Sequence, residues 1–572
     1  MIALPASPRA FTHSTWIDIA PYYEALAAEP LSPETMDAWL AAWSLLEELV
    51  DEAATLASID YTCDTSDPVK EAAHLRFSME IAPLMHEQQV RLARRLLDSG
   101  YTRADLETTI REFRTDAELF REESIPLFSE LEELDAKYEK ITGGFTVEWD
   151  GETKTLQQLQ PYLKSRDRAE RERAFRLMSA PYVDQREALA DLFDRMFALR
   201  SRIAANAGAD NFQQYVYRAK HRFDYTPDDV RRFHDAVKQT VVPAVGRLLD
   251  YRRRRLGIDV LRPWDLSLTP DRIDPLVPFK DVGRFVDRAQ RIFDCVDAEL
   301  GRDFRTMASE RLLDLDSRQG KAPGGYCTTL QHRGRPFIFM NAVGIADDVN
   351  TLVHEAGHCF HAFLSNPLPL VWQRGTGMEA AELASMSMEL LAAPFLAEPN
   401  GYYDSDAVRH AWIEHLEDIL FSLAHIASVD AFQSWIYTSG AGHDRDARDA
   451  AWLEIRARFE GGVDWSGLRP ERVARWFRQL HIFLLPFYYI EYGIAQLGAL
   501  QIWRASIEDH PRAVARYKRA LSLGGTRSLP EIYDVAGAKL VFDAETMGDL
   551  VALVEAKIAE LRAGDGDSEL AA

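Results

Sequence analysis

The stretch Ala72–Gly100, "AAHLRFSMEIAPLMHEQQVRLARRLLDSG", spaces its apolar residues three and four positions apart and closes on a glycine. That is the pattern of an amphipathic helix followed by its stop. Similar spacing runs through residues 32–141, so the opening third of the chain reads as long helices. It returns in "TPDDVRRFHDAVKQTVVPAVGRLLDYRRRRLG", where Thr226 supplies a cap ahead of two acidic residues, and it continues to about Arg562. Arg252–Arg255 read as a solvated helix end. Two interruptions break the periodicity. In "GGFTVEWDGETKTL", Phe145, Val147 and Trp149 alternate with polar residues and Asp150-Gly151 is a hairpin-turn dipeptide, so a β-hairpin is expected over 145–155. In "GGYCTTLQHRGRPFIFMNAVGIADD", residues 326–331 and 336–341 read as two strands joined around Gly334. The expected class is predominantly α-helical with a small β-sheet. We expect an N-terminal helical domain over 1–190, a second domain over 191–572, and a frayed polar tail in "AGDGDSELAA".

With 572 residues, 47% of them hydrophobic, the chain can bury an enzyme-sized core. Its net charge of −24 opposes encounter with a nucleic-acid backbone or an anionic membrane surface, so neither is an expected partner. The four cysteines, Cys63, Cys295, Cys327 and Cys359, form no CxxC pair, which argues for a reducing, cytoplasmic setting. No charged segment followed by an apolar run opens the sequence, and no charge-free apolar stretch of membrane-spanning length is apparent.

Just after the second interruption comes "TLVHEAGHCFHAF", Thr351–Phe363. His354-Glu355-x-x-His358 puts two imidazoles four residues apart on one helix face, where both can reach a zinc ion while Glu355 points at its water. Leu352, Val353, Phe360 and Phe363 imply burial, where unpaired histidines are costly. His361 shares the face but sits roughly 10 Å beyond His354 along the axis, too far for the same ion. It is therefore expected in a supporting or packing role. Cys359 points about 100° from His358 and reads as a packing thiol. A third ligand must come from elsewhere. "GMEAAELASMSMELLAAPF", Gly377–Phe395, carries Glu379, Glu382 and Glu389 among small and apolar residues. Glu382 and Glu389, seven apart, share a face, which suits one ligand and one acceptor for an imidazole N–H; Glu379 is the rival ligand or a helix-start carboxylate.

HEAGHCFH followed by E-L-A-S resembles the M3 family of zinc metallopeptidases, in particular its oligoendopeptidase F type. Further similar segments are "ITGGFTVEWDGETKTLQQLQPYL", "NAGADNFQQYVYRAKHRFDYTP", "LRPWDL", "KAPGGYC", "FIFMNAVGIADDVNTLVHEAGH" and "VDAFQSWIY". The resemblance implies a clamshell of two helical halves around a deep channel. It also implies one zinc ion on His354, His358 and Glu382, with Glu355 as general base, and short unfolded peptides as substrates. Within "RQLHIFLLPFYYIEYGIAQLGAL" it points to His481 and Tyr488 as catalytic and Tyr492 as substrate-binding. Ile490 replaces the family's usual tyrosine, and His481 lies one residue further from "PFY" than the family pattern. An exposed strand edge at Gly325 and Tyr326 could pair with a peptide backbone. Glu389 and His361 are expected behind the ligands. The expected function is a cytoplasmic zinc oligoendopeptidase, monomer or homodimer. The alternatives are a gluzincin dipeptidyl carboxypeptidase, with Arg478 clamping the terminal carboxylate, and a peptide-binding scaffold without catalysis.

Overall fold

The computed structural model describes residues 3–563 apart from 269, 272–275, 319 and 323. The tail expected at the C-terminus lies, beyond Ala563, outside the described residues. The chain is predominantly helical with two small sheets. It divides into two units, each drawn from three chain segments. One comprises Met1–Phe120, Leu276–Val408 and Ala495–Leu540; the other comprises Arg121–Pro275, Arg409–Ile494 and Val541–Ala572. Residue 190, where a domain boundary was expected, falls inside the helix Arg186–Asn206.

In the first unit, Trp39, Trp43, Leu46 and Leu49 of the helix Met36–Cys63 are buried on one face. Trp43 packs against Trp372 with ring centroids 4.4 Å apart, joining a local helix to a segment more than 300 residues on. The long periodic stretch Ala72–Gly100 forms Pro68–Leu75 and Ala82–Asp98, joined by a π-helical turn over Arg76–Ile81 just before Pro83.

The hairpin expected over 145–155 is β1 (Thr146–Trp149) paired antiparallel with β2 (Glu152–Thr155) in the second unit. Asp150 and Gly151 both take positive φ, as the two-residue turn requires. Three further strands form a sheet in the first unit: β3 (Leu313–Asp316), β4 (Tyr326–Leu330) and β5 (Arg335–Ala342), in the order β3-β5-β4. β4 and β5 are the two expected strands, antiparallel about the turn at Gly334. β3 was not anticipated. It is four residues long and runs parallel to β5, a pairing made across the chain rather than through a local turn.

In the second unit Thr226 and Asp229 cap the helix Pro227–Arg255 reciprocally, as read. Its basic end is less solvated than expected: Arg252 is buried, pairs with Glu417 at 2.6 Å and donates to the Leu266 carbonyl. Among the described residues one helix, Ser405–Thr438, is long and apolar enough to cross a membrane, and 67% of that window is buried inside the protein.

Candidate metal centre and the histidine–tyrosine cluster

Strand β5 leads through Val343–Ile345 into the motif helix, Ala346–Ser365. The carboxylate of Asp348 starts that helix by accepting from three successive backbone N–H groups, those of Val343, Gly344 and Ile345, at 2.7–3.0 Å. Gly344 has φ +93, and a Cβ there would lie 2.9 Å from the Phe279 carbonyl oxygen, so the sharp entry requires glycine. Leu352, Ala356 and Phe360 anchor the helix in the core and leave His354 and His358 half-buried on another face.

The acidic helix, Met378–Ala392, crosses the motif helix at very short range. A Cβ on Gly357 would sit 2.5 Å from Ser385 Cα and 2.7 Å from the Ala384 carbonyl oxygen. Only a residue without a side chain allows that approach. The acidic helix is further held by Tyr517, whose hydroxyl donates to the Ala384 carbonyl at 2.9 Å, and by Tyr533, which donates to the Glu379 carbonyl at 3.0 Å.

This crossing brings Glu382 Oε2 to 3.3 Å from His354 Nε2 and 3.7 Å from His358 Nε2. The three donor atoms all lie within 4.8 Å of one another. Bonds of about 2.0–2.2 Å to a tetrahedral ion would separate such atoms by about 3.3–3.6 Å, so the group fits a metal of zinc's size. The surroundings fit too. Glu389 Oε1 lies 2.6 Å from His354 Nδ1 and holds the proton there, which turns the Nε2 lone pair toward the ion's position. Ser385 donates its hydroxyl to Glu382 Oε2 at 3.0 Å, so the serine of E-x-x-S orients the third donor of the group. Burial works against a charge on His354, but Glu382 and Glu389 outweigh it and drive that imidazole well above its ordinary pKa. Two carboxylates in an enclosed site call for a cation, and a metal ion would meet that need.

Glu355 is buried beside this group, and burial pushes its carboxyl up to about 7 against the opposing pull of His354 and of the Cys327 N–H. A carboxyl balanced near neutrality can both take and return a proton. His361 is buried outside the three-atom group, and burial lowers its pKa to about 4. Glu379 occupies the first turn of the acidic helix and is also outside the group. Cys359 is fully buried, with its sulfur 3.4 Å from that of Cys327. Tyr326, on the edge strand β4, stacks on Phe339 at 5.0 Å, and its hydroxyl is 2.7 Å from that of Thr62. Gly325 precedes it, and a Cβ there would lie 3.4 Å from the Phe339 carbonyl oxygen.

The second unit assembles the other expected residues. The His481 ring lies 5.8 Å from Tyr488, 4.6 Å from Tyr489 and 6.2 Å from Tyr492, and Tyr488 and Tyr492 are 5.1 Å apart. Tyr489, which this stretch also offers as a possible donor but which was not among the three residues singled out, therefore belongs to the cluster. Phe487, immediately before Tyr488, has φ +63, a conformation costing a non-glycine residue about 1–3 kcal/mol. Gln433 accepts from its N–H and Arg222 donates to its carbonyl, so the turn that presents Tyr488 is held at both ends. Lys220 lies 5.0 Å above the Tyr488 ring. Arg478, the clamp considered for a carboxypeptidase, is exposed.

A helix-borne HExxH pair with a glutamate of a second helix brought beside it is the arrangement of a metallopeptidase site. Residues 161–547 match the model of peptidase family M3, and residues 11–122 match the peptidase M3 N-terminal domain. The chain belongs to peptidase family M3. It is 21% identical over 418 residues to an oligoendopeptidase F homolog of Borreliella burgdorferi, covering 70% of this chain and 67% of that protein. It is 22% identical over 397 residues to oligopeptidase PepF of Bacillus subtilis, covering 66% of this chain and 55% of that one. The structure of Pz peptidase A with an inhibitor superposes with a TM-score of 0.89 at 26% identity, over 96% of this chain and 98% of that one. Another, described as an oligoendopeptidase F, gives 0.88 at 28% identity over 96% and 97%.

Proposed function

We propose that the chain is a zinc-dependent oligoendopeptidase that hydrolyses internal bonds of short unfolded peptides in the cytoplasm, as a monomer or homodimer. The observation that carries this is the convergence of His354, His358 and Glu382 within 4.8 Å, with the buried Glu355 beside them. His354, His358 and Glu382 would hold the zinc ion, which when bound would supply the Lewis acid that acidifies water and polarises the scissile carbonyl. Glu355 takes the proton of the attacking water and returns it to the departing amine. His481 and Tyr488 donate to the oxygen of the scissile carbonyl as its charge develops, and Tyr492 holds substrate. The edge strand at Gly325 and Tyr326 receives the peptide's main chain. Such pairing reads backbone rather than side chains, which supports broad sequence tolerance.

The test is product mapping by mass spectrometry on internally quenched peptides blocked at both ends, with zinc and with chelator. Internal cleavage that needs the metal is expected. Cleavage confined to peptides with a free carboxyl terminus would favour the dipeptidyl carboxypeptidase reading. Glu355→Gln is expected to keep its metal and lose about 10²–10⁴-fold in kcat; persistence of activity would rule out the proposed proton transfers.

A further inference from the structure

Gln479 lies between two imidazoles. Its Oε1 is 3.0 Å from His425 Nε2, and its Nε2 is 3.0 Å from His481 Nδ1. The direction of both bonds is decided one residue further back, where Arg456 NH1 lies 2.9 Å from His425 Nδ1. A guanidinium can only donate, so His425 Nδ1 must accept. Burial, helped by the charges of Arg456 and Arg475, depresses the His425 pKa to about 3, so this ring is neutral and its one proton is on Nε2. That N–H donates, which requires the Gln479 carbonyl to face His425 and its amide to face His481. His481 Nδ1 therefore accepts, and neutral His481 carries its proton on Nε2.

The chain of bonds is anchored. Arg456 donates to Glu460 and lies 5.5 Å from the Trp452 ring, while Glu460 also receives Arg475 at 2.5 Å and Arg472 at 3.3 Å. His481 itself is ringed by Tyr488, Tyr489 and Tyr492.

We propose that Glu460, Arg456, His425 and Gln479 form a relay of fixed hydrogen-bond direction that locks His481 as an Nε2–H donor. The inference rests on the reading of His481 as a donor to the scissile carbonyl oxygen. In the opposite tautomer His481 would present a lone pair to an oxygen gaining negative charge, and the contact would be repulsive. Gln479, His425 and Arg456 are positioning residues, acting through His481 rather than on the substrate.

Gln479→Glu keeps the shape and makes both ends acceptors. Neutral His481 must then place its proton on Nδ1 to meet the introduced carboxylate. The expected result is a fall in kcat of about 10²-fold near pH 8, with KM within about twofold of the parent. The deficit should shrink on acidification, because a second proton on His481 restores Nε2–H. A parental kcat, or a loss equal at every pH, overturns the relay. His481→Ala separates the two levels. If it lowers kcat while Gln479→Glu does not, only the relay fails; if it leaves kcat unchanged, the donor role fails and the relay with it. Should the introduced carboxylate prevent folding, Gln479→Met carries the test. The relay then predicts a lower kcat at unchanged KM and metal content, and a parental kcat in the folded variant overturns it.

Discussion

His354 Nδ1 lies 2.6 Å from Glu389 Oε1, and that contact fixes which nitrogen of the imidazole is available to a metal. Without Glu389 the ring loses both its preferred tautomer and its orientation. Glu389→Ala is expected to weaken metal affinity by about 10–100-fold, read by competition against a chelator of known affinity. Affinity equal to the parent's would show that packing alone orients His354.

The crossing at Gly357 is as consequential as the ligands. Adding one methyl would meet backbone, at Ser385 Cα and the Ala384 carbonyl, rather than a movable side-chain tip. Gly357→Ala is expected to destabilise the fold by about 1–3 kcal/mol and to draw Glu382 away from the histidines. Thermal unfolding and metal titration of the same variant should both move. A change in stability with intact metal affinity would mean that the helices separate elsewhere.

His361 tests the assignment of the three-histidine cluster. It is buried on the motif helix but lies outside the group of converging donor atoms. His361→Phe should therefore keep its full metal content, whereas His358→Phe should lose it. Loss of metal in both would place His361 among the ligands.

Acid sensitivity is expected from Asp265, whose carboxylate is fully buried between Arg168 and Arg171 at 2.7 and 2.8 Å. Burial alone would raise its pKa, but the hydrogen bonds from the two arginines outweigh it and hold it below the ordinary value. A depressed folded-state pKa gives stability that is full above the unfolded value, near 3.9, and is lost as pH falls through the folded one. Asp265→Asn should cost about 3–5 kcal/mol at pH 7, because it leaves Arg171 buried without its partner. In urea titrations the gap between variant and parent should narrow below about pH 4. A gap independent of pH would assign the loss to packing.

What the sequence determined is what a single helix or turn encodes. His354, Glu355 and His358 are legible because four residues nearly complete a helical turn, so the chain's own geometry puts both imidazoles on one face. The hairpin at Asp150-Gly151 and the cap at Thr226 are local in the same sense. Tertiary structure alone decided the rest. The spacing of glutamates left Glu379, Glu382 and Glu389 as candidates, and the crossing at Gly357 brings Glu382 to the Nε2 atoms of His354 and His358 and leaves Glu389 at Nδ1 of His354. Strand β3 escaped notice because its partner β5 lies across the chain, and the inward turn of Arg252 depends on Glu417. The proton on His481 is set by Arg456, His425 and Gln479, residues spread over more than 50 positions whose order of donation exists only once they touch. Helical periodicity is a property of neighbours in sequence. The position of a third ligand and the tautomer of a histidine are properties of neighbours in space.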